Sequence, residues 1–158
     1  MPIPPFVAEL RALVGSHELW LPGVTAVIRR GDELLLTERA DNGEWSPVTG
    51  IVDPGEEPAG AAAREALEEA GVEVSIDRLV SVGVIPGVVY ENGDRASYLD
   101  LTFDCSWVSG EARVADDENV DVRWWPIAGL PPMSESVRRR IDDVLAGETA
   151  ARYRRPSS

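Results

Sequence analysis

Residues 50–72 read GIVDPGEEPAGAAAREALEEAGV, and this stretch carries the strongest structural signal in the chain. Pro58 suits the first turn of a helix and Gly71 suits the position just past its end, so a helix is predicted between them. At about 100° per residue, one arc of that helix carries Glu65, Glu68 and Glu69. The opposite arc is small and apolar and predicts close packing on a sheet: Ala59, Ala63, Ala66, Leu67 and Ala70.

The three carboxylates indicate a metal site. Like charges at i, i+3 and i+4 repel one another unless a positive charge is present. Mg²⁺ prefers carboxylate and water oxygens and usually binds one or two carboxylates together with phosphate oxygens. Glu56, in the preceding loop, can fold back toward the cluster, and Arg64 is the cation best placed to fix a carboxylate through a bidentate pair. A solvated acidic helix face is the alternative for residues 65–69 taken alone.

The spacing of the fixed positions decides between these interpretations. The segment resembles the Nudix box: Gly, five residues, Glu, seven residues, Arg-Glu, an aliphatic residue, any residue, Glu-Glu, any residue, Gly, an aliphatic residue. At roughly 7% per fixed residue, seven such positions match by chance on the order of 10⁻⁸ per starting position. The matching residues are Gly50, Glu56, Arg64, Glu65, Ala66, Glu68, Glu69, Gly71 and Val72.

The resemblance covers roughly Val24 to Gly147 and implies an α/β fold of the Nudix type. This is an α/β/α sandwich with a mixed sheet and a loop, helix, loop motif that holds Mg²⁺, or Mn²⁺ in its place. By matching position, Glu65, Glu68, Glu69 and the backbone carbonyl of Thr49 would be metal ligands. Glu56 would be a supporting carboxylate and Arg64 its orienting partner. The metal would bridge phosphates, lower the pKa of a water and stabilise the leaving phosphate.

The chain departs from the family pattern just before the box. Many members approach it as Leu-Pro-Gly-Gly, whereas this chain has Ser46-Pro47-Val48-Thr49-Gly50, so Thr49 replaces the first Gly. Ala66 is a small choice for the aliphatic position, which fits a tightly packed helix.

Other candidate site residues lie outside the box. Nudix enzymes often recruit a further acid from a later loop, and Glu118 in the acidic run 116–118 is the choice here, with a solvated loop as the alternative. Arg39, at the end of a strand, is a candidate phosphate contact or a surface ion-pair partner. Trp45 and Tyr90 are candidates to stack on a base, with packing in the core or at its rim as the alternative. His17 and Cys105 are assigned to structure.

The rest of the chain supplies the elements around the box. Helices are predicted at Pro5–Val14 and Ser134–Ala146, and Gly31-Asp32 joins the strands Val24–Arg30 and Glu33–Glu38 in a hairpin. A short strand is expected near Val48–Val52 and another at Val120–Trp125. Between Val72 and Trp107, turn signals at Pro86-Gly87 and Asn92-Gly93 predict three apolar strands. We expect one domain over residues 1–150 and a frayed tail over residues 151–158.

Composition limits the classes of function. The chain has 158 residues, 44% hydrophobic and 27% charged, which is typical of a globular domain. The formal net charge of −13 disfavours nucleic-acid duplexes and anionic membranes as partners, although carboxylates neutralised by divalent cations can still bind a small phosphorylated substrate. One cysteine permits no internal disulfide, and no run has 18 or so apolar residues, so a cytoplasmic protein is expected.

The sequence therefore predicts a Mg²⁺-dependent pyrophosphohydrolase that cuts a phosphoanhydride bond in a nucleoside diphosphate linked to another group. Nucleotide sugars or ADP-ribose and noncanonical nucleoside triphosphates are equally favoured: Pro86 suggests the first class, whereas Tyr90 lies near where members that cleave dinucleoside polyphosphates carry a tyrosine. The alternative is a Nudix-fold sensor that binds a nucleotide without cutting it. A homodimer is expected, because the helix Pro5–Val14 carries an apolar stripe.

Overall fold

The protein, described over residues 3–157 in a computed structural model, is built around one mixed sheet with helices on both faces. The elements, in chain order, are α1 (Pro5–Val14), β1 (Leu19–Arg30), β2 (Glu33–Arg39), β3 (Trp45–Ser46), β4 (Val48–Ile51), α2 (Pro58–Ala70), β5 (Glu73–Val89), β6 (Arg95–Ser109), β7 (Asn119–Pro126), a 3-10 turn (Ile127–Gly129), α3 (Glu135–Leu145) and β8 (Arg152–Tyr153).

The sheet has eight strands in the order β3-β2-β1-β6-β5-β8, with β4 also paired to β1 and β7 to β2. The central pair β1 and β6 is parallel, and the hairpin partners β1 with β2 and β5 with β6 are antiparallel. The predicted mixed α/β fold is therefore confirmed. No helix within residues 3–157 is long and apolar enough to cross a bilayer.

Most predicted elements form where the local signals indicate. The first helix has the predicted bounds, and the box helix begins at Pro58 and ends before Gly71, whose φ of 69° lies in the left-handed region that favours glycine. The Ser134 hydroxyl accepts a hydrogen bond from Val137 N and caps α3.

Two predictions about strands are wrong. Pro86-Gly87 does not separate two strands: β5 runs through it, and the register with β6 shifts between Ile85 and Val88. A bulge absorbs the residues that cannot follow a regular ladder. In the expected frayed tail, Arg152 and Tyr153 form β8, which pairs in parallel with Ser81 and Val82 of β5.

Alternation along β1 divides the core between the two faces of the sheet. Val24, Ala26 and Ile28 pack with α2, whereas Val27 packs in the cluster that contains α3. Leu21 packs in a third cluster with Val7 of α1. The period of two along a strand therefore puts α2 on one face and α1 and α3 on the other.

Candidate active site

The box helix is rotated relative to its predicted orientation. Its buried residues are Ala61, Ala62, Glu65, Ala66, Glu69 and Ala70, whereas Leu67 is 53% exposed. The predictions that Leu67 packs on the sheet and that Glu65 and Glu69 lie opposite the packed arc are therefore wrong. These two glutamates lie on the buried face because alanines beside them let the helix approach the sheet closely and leave room for the carboxylates.

Gly50 shows how close this approach is. A β-carbon at Gly50 would lie 2.2 Å from Cδ of Glu65, so any side chain there would displace the carboxylate. Gly50 and Thr49 lie on β4, paired with Val24 and Thr25 of β1. Thr49, which replaces the usual glycine, is therefore an ordinary strand residue in this register.

Arg64 fixes three of the predicted carboxylates. Its Nε and Nη2 donate to the two oxygens of Glu56 at 2.8 and 3.0 Å, which is a bidentate pair. Its Nη1 donates to Glu65 at 2.9 Å and to Glu68 at 3.1 Å, and its Nη2 also donates to the carbonyl of Ile51 at 3.1 Å. The hydrogen bonds from Arg64 lower the pKa of Glu56, so this carboxylate stays charged.

Glu65 and Glu69 bury more negative charge than Arg64 balances. Glu65 is fully buried, and its Oε2 accepts no hydrogen bond from residues 3–157. Burial raises the pKa of Glu65 to about 7, although Arg64 opposes the shift. Burial, and then the charges of Glu65, Glu118 and Asp116, raise the pKa of Glu69 to about 9. Two charged carboxylates at these positions need a cation.

The loop before β7 brings further acids to the helix. One carboxylate oxygen each from Glu69, Asp116 and Glu118 lie within 4.8 Å of one another. Asn119, buried at the start of β7, donates from Nδ2 to Asp116 at 3.3 Å and, more weakly, to Glu69 at 3.5 Å. The structure thus brings the predicted Glu118 to the box helix, and it adds Asp116 and Asn119. The sequence signal for Asp116 was the acidic run itself, whereas Asn119 had none.

These donors fit a hard divalent cation. The clustered oxygens of Glu69, Asp116 and Glu118 are carboxylate oxygens, and within residues 3–157 the cluster contains no nitrogen or sulfur ligand. Oε2 of Glu65 is a further buried carboxylate oxygen that accepts no hydrogen bond. Glu68 differs from Glu65 and Glu69 in its exposure, because its side chain is 47% exposed. Like Glu65, it forms an ion pair with Arg64.

A cleft of about 610 Å³ lies on the opposite face of the sheet, between α1 and α3. Leu21, Gly23 and Tyr98 line it from the sheet. Thr49 and Gly50 line its border toward α2, as does Glu118. The cleft therefore meets the carboxylate cluster at β4 and at the loop before β7.

Two of the three predicted substrate contacts line this cleft. Arg39 and Tyr90 line it. Arg39 forms a bidentate pair with Asp41 at 2.7 and 3.0 Å, as the ion-pair alternative had it, and the Tyr90 hydroxyl shares a hydrogen bond with that of Tyr98.

Trp45 does not line the cleft. Its ring packs edge-on against Trp125, with centroids 5.1 Å apart, and Arg123 lies 5.4 Å from the Trp45 centroid. Its placement supports the alternative of packing at the rim of the core, because Trp125 and Arg123 already contact the ring.

Comparison with known proteins agrees with this geometry. The family model described as NUDIX domain matches residues 19–145. A MutT-like protein of Streptomyces ambofaciens is 33% identical over 132 residues, which cover 83% of this chain and 79% of that protein. The NAD-capped RNA hydrolase NudC of Pseudomonas aeruginosa strain LESB58 is 33% identical over 127 residues, 78% of this chain. The match covers 43% of NudC, so the chain spans less than half the length of that relative.

Solved structures show the same fold. A NUDIX hydrolase from Nitrosomonas europaea superimposes with a TM-score of 0.68 at 27% identity, over 84% of this chain and 93% of that one. An ADP-ribose pyrophosphatase from Streptococcus suis matches with a TM-score of 0.64 at 22% identity, over 85% of this chain and 96% of that one, which supports the fold alone. With a family match over most of its length and a complete box, the chain belongs to the Nudix hydrolase family.

Proposed function

We propose that the protein is a divalent-metal-dependent pyrophosphohydrolase, with Mg²⁺ as the metal and Mn²⁺ as a substitute. The observation that carries the proposal is the excess of buried carboxylate on α2, where Glu65 and Glu69 are buried and Glu65 keeps an unpaired oxygen. Asp116 and Glu118 cluster with Glu69, and Glu118 lines the cleft. Burying such charges costs several kcal/mol each unless a cation compensates.

In this proposal Glu65, Glu68 and Glu69, with the carbonyl of Thr49, hold the metal. A bound divalent cation would supply charge stabilisation at the phosphates and a nucleophile at neutral pH. Arg64 orients Glu65 and Glu68 while Glu56 neutralises its charge, so the carboxylates are held in place before a ligand arrives.

The reaction needs a proton acceptor near the attacked phosphorus. The oxygen of water forms a bond to phosphorus, the bridging phosphoanhydride bond breaks, and the water proton passes to a base. Glu118 is our candidate, because it combines closeness to Glu69 with a position on the wall of the cleft. Glu118→Gln should then lower turnover about 10²-fold, with a smaller change in metal affinity.

Two substrate classes remain in the proposal, nucleotide sugars or ADP-ribose and noncanonical nucleoside triphosphates. An ADP-ribose pyrophosphatase is among the similar structures, and a MutT-like protein is among the similar sequences. The cleft of about 610 Å³ is within the range usual for small-molecule sites.

The test is hydrolysis of a mixed panel of nucleoside triphosphates, nucleotide sugars and dinucleotides with Mg²⁺ and with Mn²⁺. We expect turnover of at least one class, lost on chelation and lost in Glu69→Gln. Folded protein that turns over no member with either metal would contradict the proposal.

A sensor that binds a nucleotide without cutting it is the second candidate. The complete set of Glu65, Glu68 and Glu69, of which Arg64 hydrogen-bonds the first two, favours catalysis, because a pure binder does not need the whole cluster. Calorimetry that shows tight binding, while the ligand stays chemically unchanged over hours, would favour the sensor.

We also propose a homodimer. In α1 the exposed apolar residues are Leu10, Leu13 and Val14, and Leu13 is 83% exposed. Sedimentation at tens of micromolar should give the mass of a dimer, and Leu13→Asp should reduce it to that of a monomer. A monomer in the parent protein would contradict this.

A further inference from the structure

A charged pair is buried on the face of the sheet opposite α2. Arg140 of α3 is 9% exposed and Asp100 of β6 is 5% exposed, and Nη1 of Arg140 lies 3.8 Å from Oδ1 of Asp100. A buried pair of this kind is weak evidence for stability, because hydrophobic residues often replace it without loss. A role in ligand binding would explain its presence.

Both carboxylate oxygens of Asp100 accept hydrogen bonds within the protein. Its Oδ1 accepts from the Thr25 hydroxyl at 2.8 Å, and its Oδ2 accepts from the Thr102 hydroxyl at 2.9 Å. Both threonines are fully buried. The carboxylate is therefore fixed, and its charge serves to hold the guanidinium of Arg140.

Arg140 keeps donors for a ligand. Its Nη1 donates to Thr25 Oγ1 at 2.7 Å and its Nε to the carbonyl of Ser136 at 3.2 Å, so the side chain is held at two points. Within residues 3–157 its Nη2 donates no hydrogen bond to the protein. Arg140 and Asp100 both line the cleft. A nearly buried, fixed guanidinium thus offers free N–H groups to whatever occupies the cleft.

The floor of the cleft next to this pair is aromatic. Tyr98 precedes Asp100 by two residues on β6, so both side chains lie on the same face of the sheet. A β-carbon at Gly23 would lie 3.3 Å from Cδ1 of Tyr98, so the absence of a side chain at Gly23 lets this ring lie over β1. Tyr98 and Arg140 line the same cleft, so a planar ligand stacked on Tyr98 would share the cleft with the guanidinium.

The charge of the cleft argues for a neutral ring at this end. Its lining contains three arginines, Arg11, Arg39 and Arg140, and six acids, Asp41, Glu44, Glu91, Asp94, Asp100 and Glu118. Arg140 is already balanced by Asp100. A second phosphate or a carboxylate would therefore meet net negative charge, whereas an uncharged acceptor would not.

We propose that Arg140 is a specificity-determining residue that donates to the O6 and N7 acceptors of a 6-oxopurine ring in the cleft. Thr25 takes one of the two N–H groups of Nη1, so the other N–H of Nη1 and an N–H of Nη2 remain as the pair of donors for these acceptors. The amino group of adenine at the same position would oppose them donor to donor. The inference rests on the proposed function for its nucleotide substrate, and it makes nucleotides of guanine or hypoxanthine the preferred class.

The test measures binding, so it does not depend on catalysis. Calorimetry with Mg²⁺ compares the α,β-methylene analogues of inosine diphosphate and adenosine diphosphate, which resist hydrolysis. We expect the inosine analogue to bind about 10- to 100-fold more tightly. Equal binding, tighter binding of the adenosine analogue, or binding of neither would overturn the proposal, whether or not the panel shows turnover.

Variants assign the preference to the fork of Arg140. Arg140→Lys keeps the charge beside Asp100 and loses the planar fork, so the preference should fall to about two-fold or less. Arg138→Lys, at the exposed arginine that pairs with Asp142 on the same helix, should keep the preference of the parent protein. An unchanged preference in Arg140→Lys would overturn the assignment.

If Arg140→Lys does not fold, a change in the ligand tests the same contact in the parent protein. The 7-deaza form of the inosine analogue lacks the N7 acceptor and should bind the parent protein about 10-fold more weakly. Equal binding of the two forms would contradict the contact with N7.

Discussion

The two faces of the sheet bury charge in opposite ways. Against α2, Glu65 and Glu69 are buried with one arginine that is already shared among Glu56, Glu65 and Glu68. Against α3, Asp100 is buried with Arg140, and two threonine hydroxyls complete the carboxylate. The carboxylates on the first face carry negative charge in excess, whereas the buried pair of Arg140 and Asp100 on the second face is balanced.

This difference separates two kinds of site. An excess of buried carboxylate raises the pKa values of Glu65 and Glu69, and a bound cation would favour their charged forms. A balanced pair needs no ion, so the donors that remain on Arg140 are available for a neutral ligand. In the proposed function the first face therefore takes the metal and the phosphates, and the second takes the group that the phosphates carry.

The largest effect should come from removing charge on the face of α2. Glu69→Gln keeps the size of the side chain and removes one buried carboxylate, so turnover should fall on the order of 10²-fold or more, and Mg²⁺ affinity should fall with it. Glu68→Gln should act in the same direction. The measurements are steady-state turnover and Mg²⁺ titration.

Glu57→Gln is the matched control, because Glu57 is exposed at the start of α2 and its side chain makes no capping hydrogen bond. It should leave both quantities unchanged. Full activity in both Glu68→Gln and Glu69→Gln would refute the metal assignment.

A smaller effect is expected from the residue that orients the carboxylates. Arg64→Lys keeps a positive charge and loses the bidentate pair with Glu56, so Mg²⁺ affinity should fall about 10- to 100-fold. Arg138→Lys controls for the substitution itself. Equal Mg²⁺ affinity in the parent protein and in Arg64→Lys would contradict an orienting role.

The excess charge should also appear as pH-dependent stability without metal. The pKa of Glu69 is about 9 in the folded protein against an ordinary 4.5, so the folded state binds more protons and stability should fall as pH rises through this window. In Glu69→Gln this fall should be smaller, and the metal-free Tm at pH 8 should be about 3 °C higher or more. Mg²⁺ should raise the Tm of the parent protein and raise that of the variant less.

Thermal unfolding with chelator and with Mg²⁺, from pH 5 to pH 9, measures the pH dependence of the Tm, the difference in Tm between variant and parent, and the rise in Tm with Mg²⁺. A metal-free Tm that rises with pH over this range, and a variant less stable than its parent at pH 8, would contradict the excess of charge.

The smallest effect concerns the balanced face. Thr102→Val leaves one oxygen of Asp100 without its hydrogen bond, so the protein should lose about 1 kcal/mol of stability, or about 3 °C in Tm. This loss should be the same with Mg²⁺ and with chelator, because the pair on this face needs no cation. A loss that Mg²⁺ reverses would mean that the two faces do not differ in their balance of charge.

The sequence predicted much of the fold because its strongest signals are local. Pro58 and Gly71 bound the box helix, Ser134 caps α3, and Gly31 turns the first hairpin. Pro86-Gly87 misled the prediction, since the same dipeptide that marks a turn also fits a bulge in a long strand. The choice depends on β6, which pairs with β5 on both sides of that point.

The candidate site also has features that the sequence predicted and features that it did not. Spacing alone identified Glu56, Arg64, Glu65, Glu68 and Glu69 as one group. In the structure Arg64 donates hydrogen bonds to three of the four glutamates, Glu56, Glu65 and Glu68. Spacing put the packed arc of α2 in the wrong place, because helical periodicity treats a glutamate as an outward residue. Trp45 was a candidate to stack on a base, whereas in the structure its ring packs against Trp125.

By itself the sequence determined the family, the helix that carries the carboxylates and the arginine that fixes them, because those features depend on residue type at fixed separations along one segment. Only the tertiary structure decided that Glu65 and Glu69 are buried, that Asp116 and Asn119 lie beside Glu69, and that Arg140 of α3 packs against Asp100 of β6. Those contacts join segments far apart in the chain, and their burial exists only once the sheet and its helices have packed.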